Sequence, residues 1–183
     1  MIRLVFDTET TGLPLPAAAD ISKQPRIIEL GAVKLDGDKV IERYNQLLNP
    51  GQLLEAKITQ ITGIKDEDLI DKPFFLDVLP KVRELFQDVD ELIAHNAPFD
   101  TALLRYDLQR CNVTDFIWPR KITCTVQEFR HLKGRRLKLI DLYEIILGKQ
   151  LAQTHRALDD VDALIEILMK VGYFSNDTVE SPF

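Results

Sequence analysis

Residues 4–13 read Leu-Val-Phe-Asp-Thr-Glu-Thr-Thr-Gly-Leu (LVFDTETTGL), an apolar triplet that runs straight into two acids. Leu4, Val5 and Phe6 have the character of a short buried strand, where an ionised carboxylate is costly unless something pairs with it. Successive side chains on a strand point to opposite faces, so Asp7 and Glu9, two apart, share a face and aim at one point. Two like charges held there call for a cation.

Working outward, the first fifty residues form a three-strand meander: the opening strand, then RIIELGAVKL (26–35), then KVIERYNQLLNP (39–50), with Asp36-Gly37 as the hairpin signal between the last two. PLPAAADISKQP between the first two strands reads as a loop, by its prolines and lack of period. From about Thr59 the pattern turns helical, over KDEDLIDK (65–72) and FFLDVLPKVRELFQ (74–87), with Pro80 either opening the second helix or kinking it. ELIAH (91–95) is a further apolar strand, and NAPFDTALLRYDLQR (96–110) starts a helix with Asn96 as its cap and Pro98 in its first turn. A last strand lies near FIWPRKITC (116–124), and helices around 124–132, 137–148 and 157–171 complete the chain. Strands first, then strands alternating with helices, imply an α/β fold: a mixed sheet covered by helices.

At 183 residues this suits one domain, assigned to residues 1–174, with 175–183 as a short tail; FSNDTVESPF (174–183) is the stretch that looks detachable. No stretch approaches the ~20 apolar residues of a membrane span, and the N-terminus lacks the apolar core of a signal peptide, so no membrane partner and a cytoplasmic location are expected. Cys111 and Cys124 belong to no Cys or Cys/His cluster, which argues against a zinc site or a disulfide framework. The net charge of −6 argues at first sight against a nucleic-acid partner. A sum cannot see clustering, however, and acids that hold divalent cations count as negative while acting as an anion site once loaded. One basic run exists, from Arg130, His131 and Lys133 through Arg135, Arg136 and Lys138, suited either to phosphate contacts or to a solvated loop.

Other acids are out of place as well. On a helical wheel, Asp159, Asp162, Glu166 and Lys170 form a solvated stripe, whereas Asp160 has Ala157, Leu164 and Ile167 as its neighbours and falls within the apolar arc. A buried acid on a core-facing helix is either paired or functional. His155 lies five residues upstream, in the loop or turn that feeds this helix. Asp100 sits in a first helical turn, where the helix dipole alone favours an acid; the exit of a strand into a helix is also where α/β sheets place ligands. Asp7, Glu9, Asp100 and Asp160 together make an all-oxygen set suited to Mg²⁺ or Mn²⁺, and four carboxylates match a site for two such ions. His155 is the side-chain type able to accept a proton near neutral pH.

The blocks FDTETTGL, AHNAPFD and HRALDD, in that order, resemble the three motifs of the DnaQ-like (DEDDh) 3′-to-5′ exonucleases, a family that includes the proofreading subunit of bacterial DNA polymerase III. The resemblance implies a ribonuclease H-like mixed five-stranded sheet flanked by helices, and release of nucleoside 5′-monophosphates from a 3′ end. By position, Asp7, Glu9, Asp100 and Asp160 are similar to the family's metal ligands and His155 to its general base; the spacing selects Asp160 over Asp159, in agreement with the wheel. Thr10, Gly12 and Leu13 are similar to residues that hold the terminal nucleotide, and Asn96 and Phe99, which flank Asp100, to substrate-binding residues near the scissile end, although Gly12 as a turn, Asn96 as a cap and Phe99 as core are equally good structural readings. Ile61-Thr62-Gly63-Ile64 lies along the substrate or is only a turn; His95 reads as packed at a strand end and His131 as a surface residue. Single-stranded DNA is the favoured substrate, with RNA trimming or oligoribonucleotide degradation as the alternative and an inactive nucleic-acid-binding module as the rival from another class. With little chain beyond the last helix, a stand-alone enzyme, or one held by its surface to a polymerase or repair partner, is expected.

Overall fold

Five strands assemble into one mixed sheet in the order β3-β2-β1-β4-β5: β1 (Ile2–Thr10), β2 (Ile27–Asp36), β3 (Lys39–Leu47), β4 (Glu91–Ala94) and β5 (Lys121–Cys124). The structure, a computed structural model, describes residues 1–178 except Ala17 and Gln153; the end of the expected tail, 179–183, lies outside the described residues. β1, β2 and β3 pair antiparallel as the expected meander, turning at Gly37 with φ +61°, while β4 and β5 run parallel to β1. Parallel neighbours need crossovers. These are α1 (Ala56–Thr62), α2 (Asp66–Leu69) and α3 (Phe75–Phe86) before β4, and α4 (Ala97–Arg110) before β5. The short α5 (Thr125–Glu128), a 3₁₀ turn, α6 (Leu139–Leu147), α7 (Ala157–Lys170) and a 3₁₀ segment at Tyr173–Thr178 follow.

Strand alternation divides the apolar side chains between two layers. Leu4, Phe6, Leu30 and Ala32 pack with Val82, Phe86, Leu103 and Leu104 of α3 and α4 on one face. Val5, Val33, Leu35 and Ile93 pack with Leu142 of α6 and Val161, Leu164 and Leu168 of α7 on the other.

Of the two places the sequence leaves open for Pro80, the structure takes the second: it does not open α3 but lies inside it, and the helix begins at Phe75, where the Asp77 carboxylate accepts the Phe74 N–H at 2.9 Å. Three details differ from the sequence reading. The strand near FIWPRKITC is confined to Lys121–Cys124, because Pro119 has no N–H for a ladder and Phe116 and Trp118 leave to pack edge-on against Phe86, at 5.0 and 5.9 Å between ring centroids. Asn96 stands at the start of α4 but makes no side-chain cap, since its backbone is left-handed (φ +74°) and its Oδ1 accepts instead from Arg136. Phe174 does not belong to a detachable stretch: it is buried against the α7 layer, and the neighbouring Tyr173 hydroxyl donates to Glu91 Oε1 at 2.6 Å. Among the described residues no helix is long and apolar enough to cross a membrane.

Candidate active site

β1 carries Asp7 and Glu9 out on the side of the sheet that faces α7, opposite Gly31 and Glu29 of β2. Asp100 arrives from the first turn of α4 and is 1% exposed. Its Oδ1 accepts from Thr8 twice, from the backbone N–H at 3.1 Å and from the hydroxyl at 2.9 Å, which fixes the carboxylate between strand and helix. Asp160 arrives from the first turn of α7 and is half-buried, while Asp159 is exposed and accepts from the Thr154 hydroxyl at 2.6 Å. Glu9, His155 and Asp160 each offer a ligand atom within 4.8 Å of the others. His155 holds a left-handed backbone, φ +51°, sparsely populated for a residue with a branched ring and sustained only where the surroundings enforce it.

Charge repulsion at this point is severe. Asp7 is pushed well above the usual carboxylate range, first by withdrawal from water and then by Asp100, Glu9, Asp160 and Glu29, every one of which acts in the same direction. Glu9 is pushed up to about 8 by burial, then by Asp160, Glu29 and Asp100, with Arg156 as the opposing influence. Burial raises Asp100 to about 7 against the hydrogen bonds from Thr8. Buried carboxylates this close favour protons or a cation, and hard divalent ions take oxygen ligands of this kind. The residues present therefore fit such an ion.

Two supporting residues escaped the sequence reading. Glu29, inside the apolar run of β2, is fully buried and accepts from Arg156 Nε at 2.9 Å, Arg156 Nη2 at 2.7 Å, the Ala157 N–H at 3.1 Å and Asn45 Nδ2 at 3.1 Å. It anchors the residues that follow His155. Gly31 allows the close approach of α7: a Cβ there would stand 2.5 Å from Leu158 N and 2.6 Å from Ala157 C. Both carry a signal in the sequence, an acid and a glycine interrupting a central strand, which marks a buried ion pair and a close backbone approach.

Beside Glu9 opens a cleft of about 640 Å³ whose walls include Thr10, Gly12, Leu13, Ile61, Thr62 and Phe99. Thr10 Oγ1 donates to Gly12 O at 2.7 Å and shapes the turn that leaves Leu13 78% exposed at the rim. A Cβ on Gly12 would meet nothing within 4 Å, so open space, not crowding, surrounds it. Asn96 is not part of this wall. His95 is packed: Nε2 faces Leu137 O at 3.1 Å, Nδ1 faces Thr125 Oγ1 at 3.0 Å, and burial lowers its pKa to about 4, so the neutral ring donates from Nε2 and accepts at Nδ1. His131 is exposed.

The family model described as RNase_T exonuclease matches residues 4–168. The PolC-type DNA polymerase III of Bacillus subtilis (strain 168) is 37% identical over 172 residues, 92% of this chain but 11% of that protein. The PolC-type DNA polymerase III of Caldanaerobacter subterraneus subsp. tengcongensis is 34% identical over 170 residues, 92% of this chain and again 11% of the relative. The chain thus spans about a tenth of the length of these relatives. Among solved structures, exonuclease X in complex with 5′ overhanging duplex DNA superposes with a TM-score of 0.69 at 23% identity, covering 97% of this chain and 95% of that one. The nuclease domain of 3′hExo, a DEDDh family member bound to rAMP, gives 0.72 at 18% identity, covering 93% and 92%. At these identities the likeness is one of fold, the ribonuclease H-like sheet.

Proposed function

Because the chain belongs to the RNase_T exonuclease family, as a DnaQ-like 3′-to-5′ exonuclease of the DEDDh type, we propose that it removes nucleoside 5′-monophosphates one at a time from the 3′ end of DNA. The observation that carries this reading is the meeting of Asp7, Glu9, Asp100 and Asp160 beside His155 at the edge of a cleft large enough for a nucleotide.

Asp7, Glu9, Asp160 and the second oxygen of Asp100 are the proposed ligands of two Mg²⁺ or Mn²⁺ ions. When bound, such ions supply charge stabilisation at the scissile phosphate and a more acidic attacking water. The chain's own residues do the rest. Thr8 holds Asp100 in one orientation. Leu13 and Phe99 offer apolar faces to the terminal base, and Thr10 and Gly12 set the backbone beneath it. His155 takes the proton of the attacking water, held in place by the Arg156–Glu29 pair next to it. The O3′ side leaves with the shortened strand and the phosphate stays with the departing nucleoside.

DNA as substrate and a polymerase as partner are supported by the DNA polymerase III relatives, within which a segment similar to this chain forms about a tenth. Purified protein with Mg²⁺ or Mn²⁺ should shorten a 5′-labelled single-stranded DNA from its 3′ end, and Asp7→Ala should not. Faster shortening of RNA of the same sequence would keep the chemistry and reverse the substrate; cleavage of neither would overturn the reading.

A further inference from the structure

The run from Arg130 to Lys138 holds five lysines and arginines in nine residues, in a chain whose net charge is −6, and no acid falls between Glu128 and Asp141. Arg130, Lys133, Arg135, Arg136 and Lys138 are all exposed. Among the described residues, Arg130, Lys133 and Lys138 have no acidic partner, and Arg135 reaches Asp141 only at 3.9 Å. An uncompensated patch of this density attracts polyanions.

Its placement distinguishes it from a free surface loop. Leu137, within the run, is buried, and its carbonyl accepts from His95 Nε2 at 3.1 Å. Arg136 Nη2 donates to Asn96 Oδ1 at 2.7 Å. His95 and Asn96 are the two residues that lead from β4 into α4, one turn before Asp100. The same short connection therefore delivers a proposed metal ligand on one side and holds the basic run on the other. The cleft beside Glu9 is walled by the residues after β1, by α1 and by Phe99 of α4, and no residue of the basic run lines it. A strand with its terminal nucleoside in that cleft and its scissile phosphate at the carboxylates keeps its further phosphates outside both.

We propose that the Arg130–Lys138 run, anchored to the β4–α4 connection by His95 and Asn96, is a second binding surface that holds the backbone phosphates of the nucleic acid beyond the scissile bond. This rests on the exonuclease reading for its substrate, and it sets affinity for longer strands without reading sequence, because phosphate contacts carry no base information. Arg136 has a double role, as a phosphate contact and as the tie that sets the position of the run against Asn96.

The test uses the full chain with Asp7→Ala to block hydrolysis, alone and combined with Arg130→Ala, Lys133→Ala and Lys138→Ala. Binding of a fluorescein-labelled single-stranded DNA of about a dozen nucleotides is followed by anisotropy across NaCl concentration. Each lost phosphate contact lowers the slope of log affinity against log salt by roughly 0.7, so three should lower it by about 2 and weaken binding on the order of tenfold or more near 0.1 M salt. In the protein with Asp7 intact, the deficit in shortening should grow from a dinucleotide to the longer strand. An unchanged slope, or a deficit equal at every length, would overturn the inference. Failure of the unaltered protein to shorten any strand would instead strike the exonuclease reading, and the binding measurement distinguishes the two.

Discussion

Arg156 grips the buried carboxylate of Glu29 with two guanidinium nitrogens, Nε at 2.9 Å and Nη2 at 2.7 Å, and so ties the residue after His155 to the middle of the sheet. Fork-to-carboxylate pairing fixes orientation as well as distance. It explains how the chain maintains His155 at φ +51° on the way into α7. Arg156→Ala leaves Glu29 buried without its main partner, a loss of about 2–4 kcal/mol since the guanidinium itself is partly exposed. Urea denaturation should show this, with kcat falling more than tenfold; Arg156→Lys, lacking the fork, should recover only a fraction of either. Wild-type kcat in Arg156→Ala would detach His155 from this anchor.

Gly31 faces the start of α7 across a gap with no room for a methyl group, since its Cβ would meet backbone atoms of Ala157 and Leu158 inside 3 Å. Backbone cannot rotate away as a side chain can, so Gly31→Ala should displace α7 and with it Asp160 and His155. We expect a stability loss of about 1–3 kcal/mol and a fall in kcat with little change in the melting temperature gained from nucleic acid. Full activity with wild-type melting would show that α7 relaxes freely.

Metal-free protein should become less stable as pH rises. Glu9 and Asp100 have folded-state pKa values of about 8 and about 7, above those of the unfolded chain, so the folded state binds more protons and the stability this confers is lost as pH rises through those values. Between pH 7 and 8.5, above the titration of His95, melting in EDTA should fall. Added Mg²⁺ should reverse the fall, and Asp7→Asn should raise the EDTA melting temperature by relieving repulsion. A drop on Asp7→Asn would mean that Asp7 is structurally paired.

Asp159 and Asp160 are adjacent in sequence and differ in environment. Asp160→Ala should abolish hydrolysis; Asp159→Ala, which removes an exposed carboxylate bonded to Thr154, should leave the rate within severalfold of normal. Equal losses, measured on one labelled strand, would defeat the assignment by helix face.

Much of this protein is local in origin and could be read without coordinates. Alternation in LVFDTETTGL places Asp7 and Glu9 on one face because a pleated strand admits no other arrangement, and helical periodicity separates Asp160 from Asp159 for the same kind of reason. The meander, the mixed sheet and the family resemblance all rest on such short-range patterns. What only the tertiary structure decided are relations between distant residues, where one local pattern permits several outcomes. Asn96 satisfies every local criterion for a cap, yet its side chain goes to Arg136, forty residues away. Glu29 and Gly31 interrupt a strand in a way the sequence displays, but their reasons lie in Arg156 and Ala157, brought over them by the packing of α7. Thr8 orients Asp100 across ninety-two residues. A buried charge and a missing Cβ each announce a partner; the fold alone, by bringing the chain back over itself, determines which one.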